Sequence, residues 1–541
     1  MKGNWSGLVA ALAVLMAGCG ATADHHEHAA MSSGTPSARP VTLMAGLGNW
    51  RHPIATRSPE AQRYFDQGLI LVYGFNREEA LRSFRKAVEL DPRAPMAYWG
   101  IAMARGPYVN LDGDPTYQMK ESCEALGKGL AIPDIKVTER AWLEAARTRC
   151  PDYADPSKYI AAMRVLASMF PDDPDAHTMY AESLLVPVRW RWYVDGKPAE
   201  GVAEAENVLQ AVLRRYPQHA GANHLYIHAV ESSPTPERAV PSAQRLMGIV
   251  PAAGHIVHMP GHIWLAIGDY NQAALVNERA IEVDRQYFAQ TGMSNGAYSM
   301  YYLHNLGFLT YARSMQGRAA ETVKAANQLA EAVAPMQGAA EMADMVDMAS
   351  TFVTLWKLRV ERWDEVLSTP QPARPLARAF WHYARAVGFL ARNERSMAGS
   401  EQAEYENISK TLNRNTQWST NQLGPVLDLA SASLAARLAG SPAMWKRAVE
   451  LQDGLTYDEP PGWYYPVRES LGAALLRSGD AAGAEAVFRE GLRRSPNNGR
   501  MLFGLADSLR EEKKMDAAAW VESEFRRAWD GADIQLTVDR F

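Results

Sequence analysis

The chain has 541 residues, 47% of them hydrophobic, and a formal net charge of −5. That length can bury large cores and points to several globular units or one long repeat array. No basic stripe, RNP-type aromatic motif or zinc-finger spacing is present, which argues against a nucleic-acid partner. Walker-type and Rossmann glycine loops, a Gly-x-Ser-x-Gly elbow, His-Glu-x-x-His and Cys-x-x-Cys-His are all missing, so hydrolase, nucleotide-dependent and c-type haem chemistry lose support.

Lys2 precedes an apolar run from about Gly7 to Ala17, too short to span a bilayer but of the length of a signal-peptide core. The run ends in Leu15-Met16-Ala17-Gly18-Cys19, which resembles the lipobox of bacterial lipoproteins. The resemblance implies a signal peptide at 1–18, lipidation of Cys19 and an exported, membrane-anchored protein of the bacterial cell envelope. An ordinary secretory signal would export the chain equally well. Residues 19–42 then form a flexible tether with too little apolar surface to fold. Its Asp24-His25-His26-Glu27-His28 tract reads as a solvated linker or as a loose ion-capturing segment. Export permits disulfides, and Cys123 and Cys150 lie in helical segments joined by a turn near 132–134. A bridge and two buried thiols are both compatible with that placement.

From Ala61 to Pro92, Gly68, Ala80, Phe84, Ala87 and Pro92 fall at the offsets of the tetratricopeptide repeat (TPR), a helix–turn–helix unit with a period of about 34 residues. Gly68 and Ala80 are small where two helices cross, Phe84 fills the gap between them, and Pro92 closes the second helix. Gly472, Leu475, Ala484, Phe488 and Pro496 repeat the pattern, and Ala506, Leu509 and Ala518 follow one period later. In the middle, Ala239 and Ala273 are one period apart, with Gly261, Trp264 and Ala280 in phase. The chain thus resembles a TPR protein over most of 60–530, which implies an all-α solenoid with several degenerate units. Its expected divisions are a TPR-like region at 43–200, a His-rich TPR-like region at 201–335, degenerate repeats at 336–457 and C-terminal repeats at 458–541.

Pro107–Tyr117, Trp190–Pro198 and Asp284–Tyr298 read as irregular loops, and the Asp195-Gly196 pair suggests a turn. Trp190 and Trp192 either wall a pocket or cover a helix end. Met336, Met342, Met345 and Met348 have roughly helical spacing, which more often means core packing than copper binding by thioethers.

Six of the thirteen histidines fall within residues 219–262. His224, His228 and Glu231 are spaced i, i+4, i+7, and His255, His258 and His262 are spaced i, i+3, i+7, so each trio spans roughly 60° of a helix face. His224 and His258 are one repeat period apart, as are His228 and His262, so the pairs occupy equivalent positions of successive repeats. In TPR proteins these positions line the concave groove. Neighbouring helix axes lie about 8–10 Å apart, a gap that facing imidazoles bridge through one ion. The simplest site takes metal ligands from His224, His228, His258 and His262, leaving Glu231, His255 and His304 as supporting groups or as ligands of a second ion. Pro260 either kinks one helix or starts a second one, leaving His255 and His258 on a preceding loop.

Imidazole ligands suit Zn, Cu or Fe. Glu469, with Tyr464 and Arg468 nearby, is a further groove candidate in the segment opened by Glu459; it would complete a pocket if the solenoid curled back on itself, and a surface capping role is the equal alternative. Two functions follow. One is a groove-bound transition metal, used for metal handling or for metal-dependent chemistry. The other is a metal-free scaffold for a peptide or envelope protein partner.

Overall fold

The computed structural model describes residues 39–110, 116–294, 296–336 and 342–541. The signal segment, Cys19 and the His25–His28 tract lie outside the described residues, as does part of the Pro107–Tyr117 loop. The architecture is the expected all-α solenoid. Helix follows helix from Pro59–Tyr73 and Arg77–Leu90 to Gly499–Glu511 and Met515–Ala528. Among the described residues the strands form two short antiparallel hairpins, Tyr193–Val194 with Lys197–Pro198 and Gln417–Trp418 with Asn421–Gln422. The first turns at Asp195-Gly196, as the sequence suggests.

The helices begin and pack for reasons written locally. Asn76 accepts from the Glu79 amide at 3.2 Å, and Asp480 from the Gly483 amide at 2.9 Å, each satisfying an orphan donor of a first turn. Phe84 is fully buried between Gly68 and Gly100; a Cβ built on either would lie 2.6 or 2.3 Å from its ring. Phe488 is held in the same way between Gly472 and Gly504, at 2.4 and 2.3 Å. The two ends of the array therefore share one crossing geometry, in which a missing side chain makes room for an aromatic ring.

One continuous apolar core runs from Leu47 to Val521 as each helix packs on its neighbours, and the array also curls back on itself. Asn497 Nδ2 donates to Gly268 O at 3.4 Å, Asp533 caps the amide of Ala320 at 3.0 Å, and the Tyr298 amide reaches Glu78 at 3.3 Å. The central histidines consequently lie inside the molecule, not in an open groove. Cys123 and Cys150 form a disulfide with a Cα–Cα distance of 5.8 Å.

Several local expectations are corrected. Asp284 is not in a loop, because the helix Tyr270–Thr291 continues through it and ends only at Gly292. No loop precedes Pro260, so His255 and His258 are helical. A short helix Gly254–His258 passes through Met259, itself helical, into Pro260–Ala266, whose first position Pro260 occupies. His258 and His262 thus keep their one-turn spacing. Met345 and Met348 are core residues, as their spacing suggests, and Trp192 is buried with Nε1 donating to Leu185 O at 3.2 Å.

Candidate metal centre

The helix Ala220–Glu231 starts at His219, whose Nδ1 accepts from the Ala222 amide at 3.0 Å. Its proton is therefore on Nε2, which faces Asp175 Oδ1 at 3.0 Å. His219 is a cap, not a ligand. Five other histidines of the stretch, His224, His228, His255, His258 and His262, are at most 2% exposed.

The partner of each ring sets its tautomer. His224 Nδ1 lies 2.5 Å from the carbonyl of Tyr73, at the C-terminal end of the first helix, where carbonyls lack intrahelical partners. A carbonyl can only accept, so Nδ1 carries the hydrogen. His258 Nδ1 lies 2.7 Å from Asn277 Oδ1, while Asn277 Nδ2 donates to Ala273 O at 2.7 Å, which fixes the amide and makes His258 Nδ1 the donor. His228 Nδ1 donates to Glu231 Oε1 at 3.1 Å. Each of these imidazoles presents a bare Nε2. The Nε2 atoms of His224 and His228 face each other at 3.1 Å, and those of His258 and His262 at 2.7 Å. The facing lone pairs of His224 and His228 repel unless a proton or a cation lies between them, whereas His262, whose Nδ1 has no hydrogen-bond partner, can also donate from Nε2 to His258.

Burial disfavours the proton. It pushes His224, His255, His258 and His262 well below the ordinary imidazole pKa, with neighbouring histidines adding to the effect. Burial brings His304 down to about 4 even though Glu231 pulls the other way. These rings are neutral at physiological pH, the form that binds metals.

Two three-histidine groups result. His224, His228 and His255 present ligand atoms within 4.8 Å of one another, as do His258, His262 and His304. His255 is buried with neither ring nitrogen hydrogen-bonded. It is placed by its backbone, whose amide donates to Tyr298 OH at 3.1 Å; Tyr298 in turn donates to Asp284 at 3.0 Å. The four histidines expected to share one ion do not converge on a single point. They divide into two pairs, each completed by a ring that the sequence placed in support.

Carboxylates close the cluster. His262 Nδ1 lies 2.8 Å from Glu231 Oε2 and also touches Glu459 Oε2, yet none of the three atoms is aligned for a hydrogen bond. These atoms form a third ligand group within 4.8 Å. Burial raises both carboxyls, and the charge of Glu231 pushes Glu459 further up. Glu459 arrives from the segment that the sequence flagged for a curled-back solenoid. Its companions go elsewhere. Glu469 is buried in a two-pronged pair with Arg359 at 2.5 and 2.8 Å, and Tyr464 OH lies 3.3 Å from Tyr383 OH. Arg468 turns away to pair with Asp453 at 2.6 Å and joins neither Tyr464 nor the histidines.

Sequence reasoning missed Asn277, Phe75 and Phe308. Asn277 had a readable signal. It follows Gly261 at the same offset at which Phe84 follows Gly68 and Phe488 follows Gly472, so a polar amide replaces the packing aromatic of the repeat. Phe75, in the turn after the first helix with φ of +55°, had none. Its ring centroid lies 4.4, 5.8 and 5.2 Å from those of His224, His228 and His255. Left-handed backbone at a bulky residue costs on the order of 1–3 kcal/mol, so tertiary packing must hold it there.

A separate trio, His52, Asp173 and Asp175, also lies within 4.8 Å. Asp175 is already saturated by donors: Trp50 Nε1 at 3.2 Å, His52 Nδ1 at 2.9 Å, Tyr73 OH at 2.6 Å and His219 Nε2 at 3.0 Å. Asp173 caps the helix Pro174–Leu185 through the Asp175 amide at 2.9 Å. This constellation is a structural hub. It ties the N-terminal segment to the helix that carries His224 and His228.

An all-α solenoid of helix–turn–helix units enclosing a histidine–carboxylate cluster is the class of protein that these features define. Residues 61–93 match the family model described as Tetratricopeptide repeat, so the chain carries at least one such repeat, over the segment containing Gly68, Phe84 and Pro92. None of the curated proteins matches the chain. Among solved structures it is similar to a human IFIT1 dimer with PPP-AAAA, at 13% identity and a TM-score of 0.30, covering 87% of this chain and 91% of that one. The yeast Tom70 structure overlaps at 14% identity and a TM-score of 0.31, covering 87% and 91%. A Cut9–Hcn1 hetero-tetramer of the APC/C overlaps at 12% identity and a TM-score of 0.31, covering 84% and 78%. Overlap this loose transfers no ligand and no partner.

Proposed function

We propose that this protein binds a transition metal through its central histidines, for metal handling or for metal-dependent chemistry. The observation that carries the reading is the facing of Nε2 atoms at 3.1 and 2.7 Å, with those of His224, His228 and His258 bare, in a site where burial opposes protonation. Anchoring of Nδ1 by Tyr73 O, Glu231 and Asn277 supports it, since metal-binding imidazoles usually donate their other nitrogen to such an acceptor. Zn, Cu and Fe all accept imidazole, and the nearby carboxylates favour Zn or non-haem Fe. We further propose the site on an exported lipoprotein anchored at Cys19, on the strength of the Leu15–Cys19 motif. Elemental analysis of purified protein beside a His258→Ala/His262→Ala double variant tests the metal reading. Metal in the parent and its loss in the variant are expected; equal, negligible metal in both sinks it.

A second reading is a TPR scaffold for a peptide or protein partner, favoured by the repeat at 61–93. A partner retained from solubilised envelope with and without chelator, on protein that carries no metal, would support the scaffold reading over the metal one.

A further inference from the structure

We infer that the cluster is a two-ion centre, in which His224, His228 and His255 hold one transition-metal ion and His258, His262 and His304 hold another, with the Glu231 carboxylate between them. The inference rests on the metal reading above and adds its nuclearity.

The four phased histidines do not form one ligand group within 4.8 Å. The ligand atoms of one tetrahedral zinc at 2.0–2.1 Å lie about 3.3 Å apart. Only the pairs within each trio come near that value, at 3.1 Å for His224–His228 and 2.7 Å for His258–His262. Ring centroids are 4.8 and 4.6 Å apart in those pairs and 5.8 Å for His228–His262 and 5.6 Å for His255–His258 between the trios, while His228–His255 and His262–His304 within them stand at 6.3 and 6.0 Å, so it is the ligand atoms and not the ring centres that group the trios. Each trio instead gathers its own three ligand atoms within 4.8 Å. Closing that spread to the spacing of zinc ligands needs ring movements on the order of 1 Å.

The two trios are also built alike. Each contains a pair one helical turn apart, taken from equivalent positions of successive repeats, and each has a member whose Nδ1 is anchored outside the trio, His224 on Tyr73 and His258 on Asn277. Each packs on its own phenylalanine. Phe75 covers the first, and Phe308 lies 4.8, 4.9 and 5.0 Å from the rings of His258, His262 and His304. Glu231 reaches both trios, with Oε1 at His228 and Oε2 at His262. A carboxylate so placed offsets cationic charge on either side, and His255, buried with two unpartnered nitrogens, gains a role.

The test uses the full chain, stripped with dipicolinate and titrated with Co²⁺ while its visible d–d absorption is followed, and in parallel with Zn²⁺ measured by elemental analysis after desalting. Two equivalents per chain are expected in the parent, with one remaining in His255→Ala and one in His304→Ala. One equivalent in the parent overturns the two-ion inference and leaves the metal reading standing. None overturns both. If either single variant loses both equivalents while its helical circular dichroism is intact, the trios are not independent sites and the inference fails. Should a variant unfold, the parent stoichiometry still decides.

Discussion

Asn277→Leu isolates the contribution of one hydrogen bond to the histidine cluster. The substitution keeps the approximate volume beside Gly261, where a Cβ would lie 2.8 Å from Asn277 Nδ2, but removes the acceptor 2.7 Å from His258 Nδ1. A buried N–H left without an acceptor costs about 1–3 kcal/mol. Without metal, His258 has an escape: its proton can sit on Nε2 and donate to His262 Nε2, 2.7 Å away. The stability loss in chelator should therefore fall at the low end, about 1 kcal/mol. With metal the escape closes, because Nε2 must stay bare to coordinate. Affinity should then drop about 10–100-fold, as for other groups that orient metal ligands, equivalent to about 1.4–2.8 kcal/mol at 1.4 kcal/mol per tenfold. Denaturant unfolding in chelator, paired with Zn²⁺ competition against a chromogenic chelator, measures both quantities. Affinity within twofold of the parent, on a folded variant, would refute the claim that Asn277 sets the tautomer of His258.

Gly68→Ala places a Cβ 2.6 Å from the buried ring of Phe84, so overpacking of about 1–3 kcal/mol should outweigh the helix-propensity gain of about 0.5–1 kcal/mol, while Gly127→Ala, with nothing within 4 Å, should stabilise by that gain; a lower melting temperature for the first and a higher one for the second are expected. Burial alone would push Asp175 up, but hydrogen bonds from His219 and His52 outweigh it and hold the carboxyl well below the usual range. His52 is raised in spite of its burial, through the hydrogen bond and charge of Asp175. The carboxylate contribution is present above about pH 4 and is lost on acidification, and that of His52 is present below about pH 6.5 and is lost as pH rises through its raised value. Asp175→Asn should cost about 3–5 kcal/mol near pH 6 and flatten the acid limb of a stability–pH curve measured by urea midpoints. Replacing Cys123 and Cys150 by serine opens a loop with a sequence separation of 27, which should remove about 3–4 kcal/mol of stability in the chain-entropy model, read as a lower urea midpoint under oxidising conditions.

Local rules carried much of the fold. Gly68 with Phe84 and Gly472 with Phe488 announce helix crossings because a close approach requires a missing side chain whatever the rest of the chain does. Helical spacing likewise places His224 beside His228 and His258 beside His262, since periodicity fixes which residues share a face, while the repeat phase between the two pairs does not bring them to one point. The phase break at Asp284–Tyr298 suggests a loop, yet such a break does not stop a helix that still buries one side, and Asp284–Thr291 stays helical.

What the sequence could not determine was how these rows close in space. Whether four histidines meet at one point or divide into two trios depends on the separation of neighbouring helices and on rings and carboxylates from distant segments: His304 from the next hairpin, Phe75 from the first turn and Glu459 from far along the chain. Arg468 and Glu469 are adjacent in sequence, yet one pairs outward with Asp453 and the other inward with Arg359. Periodicity is a property of one helix at a time and is written in the chain. The curl of the solenoid sums small rotations over every repeat, and only that sum buries the histidines and turns a groove face into an enclosed cluster.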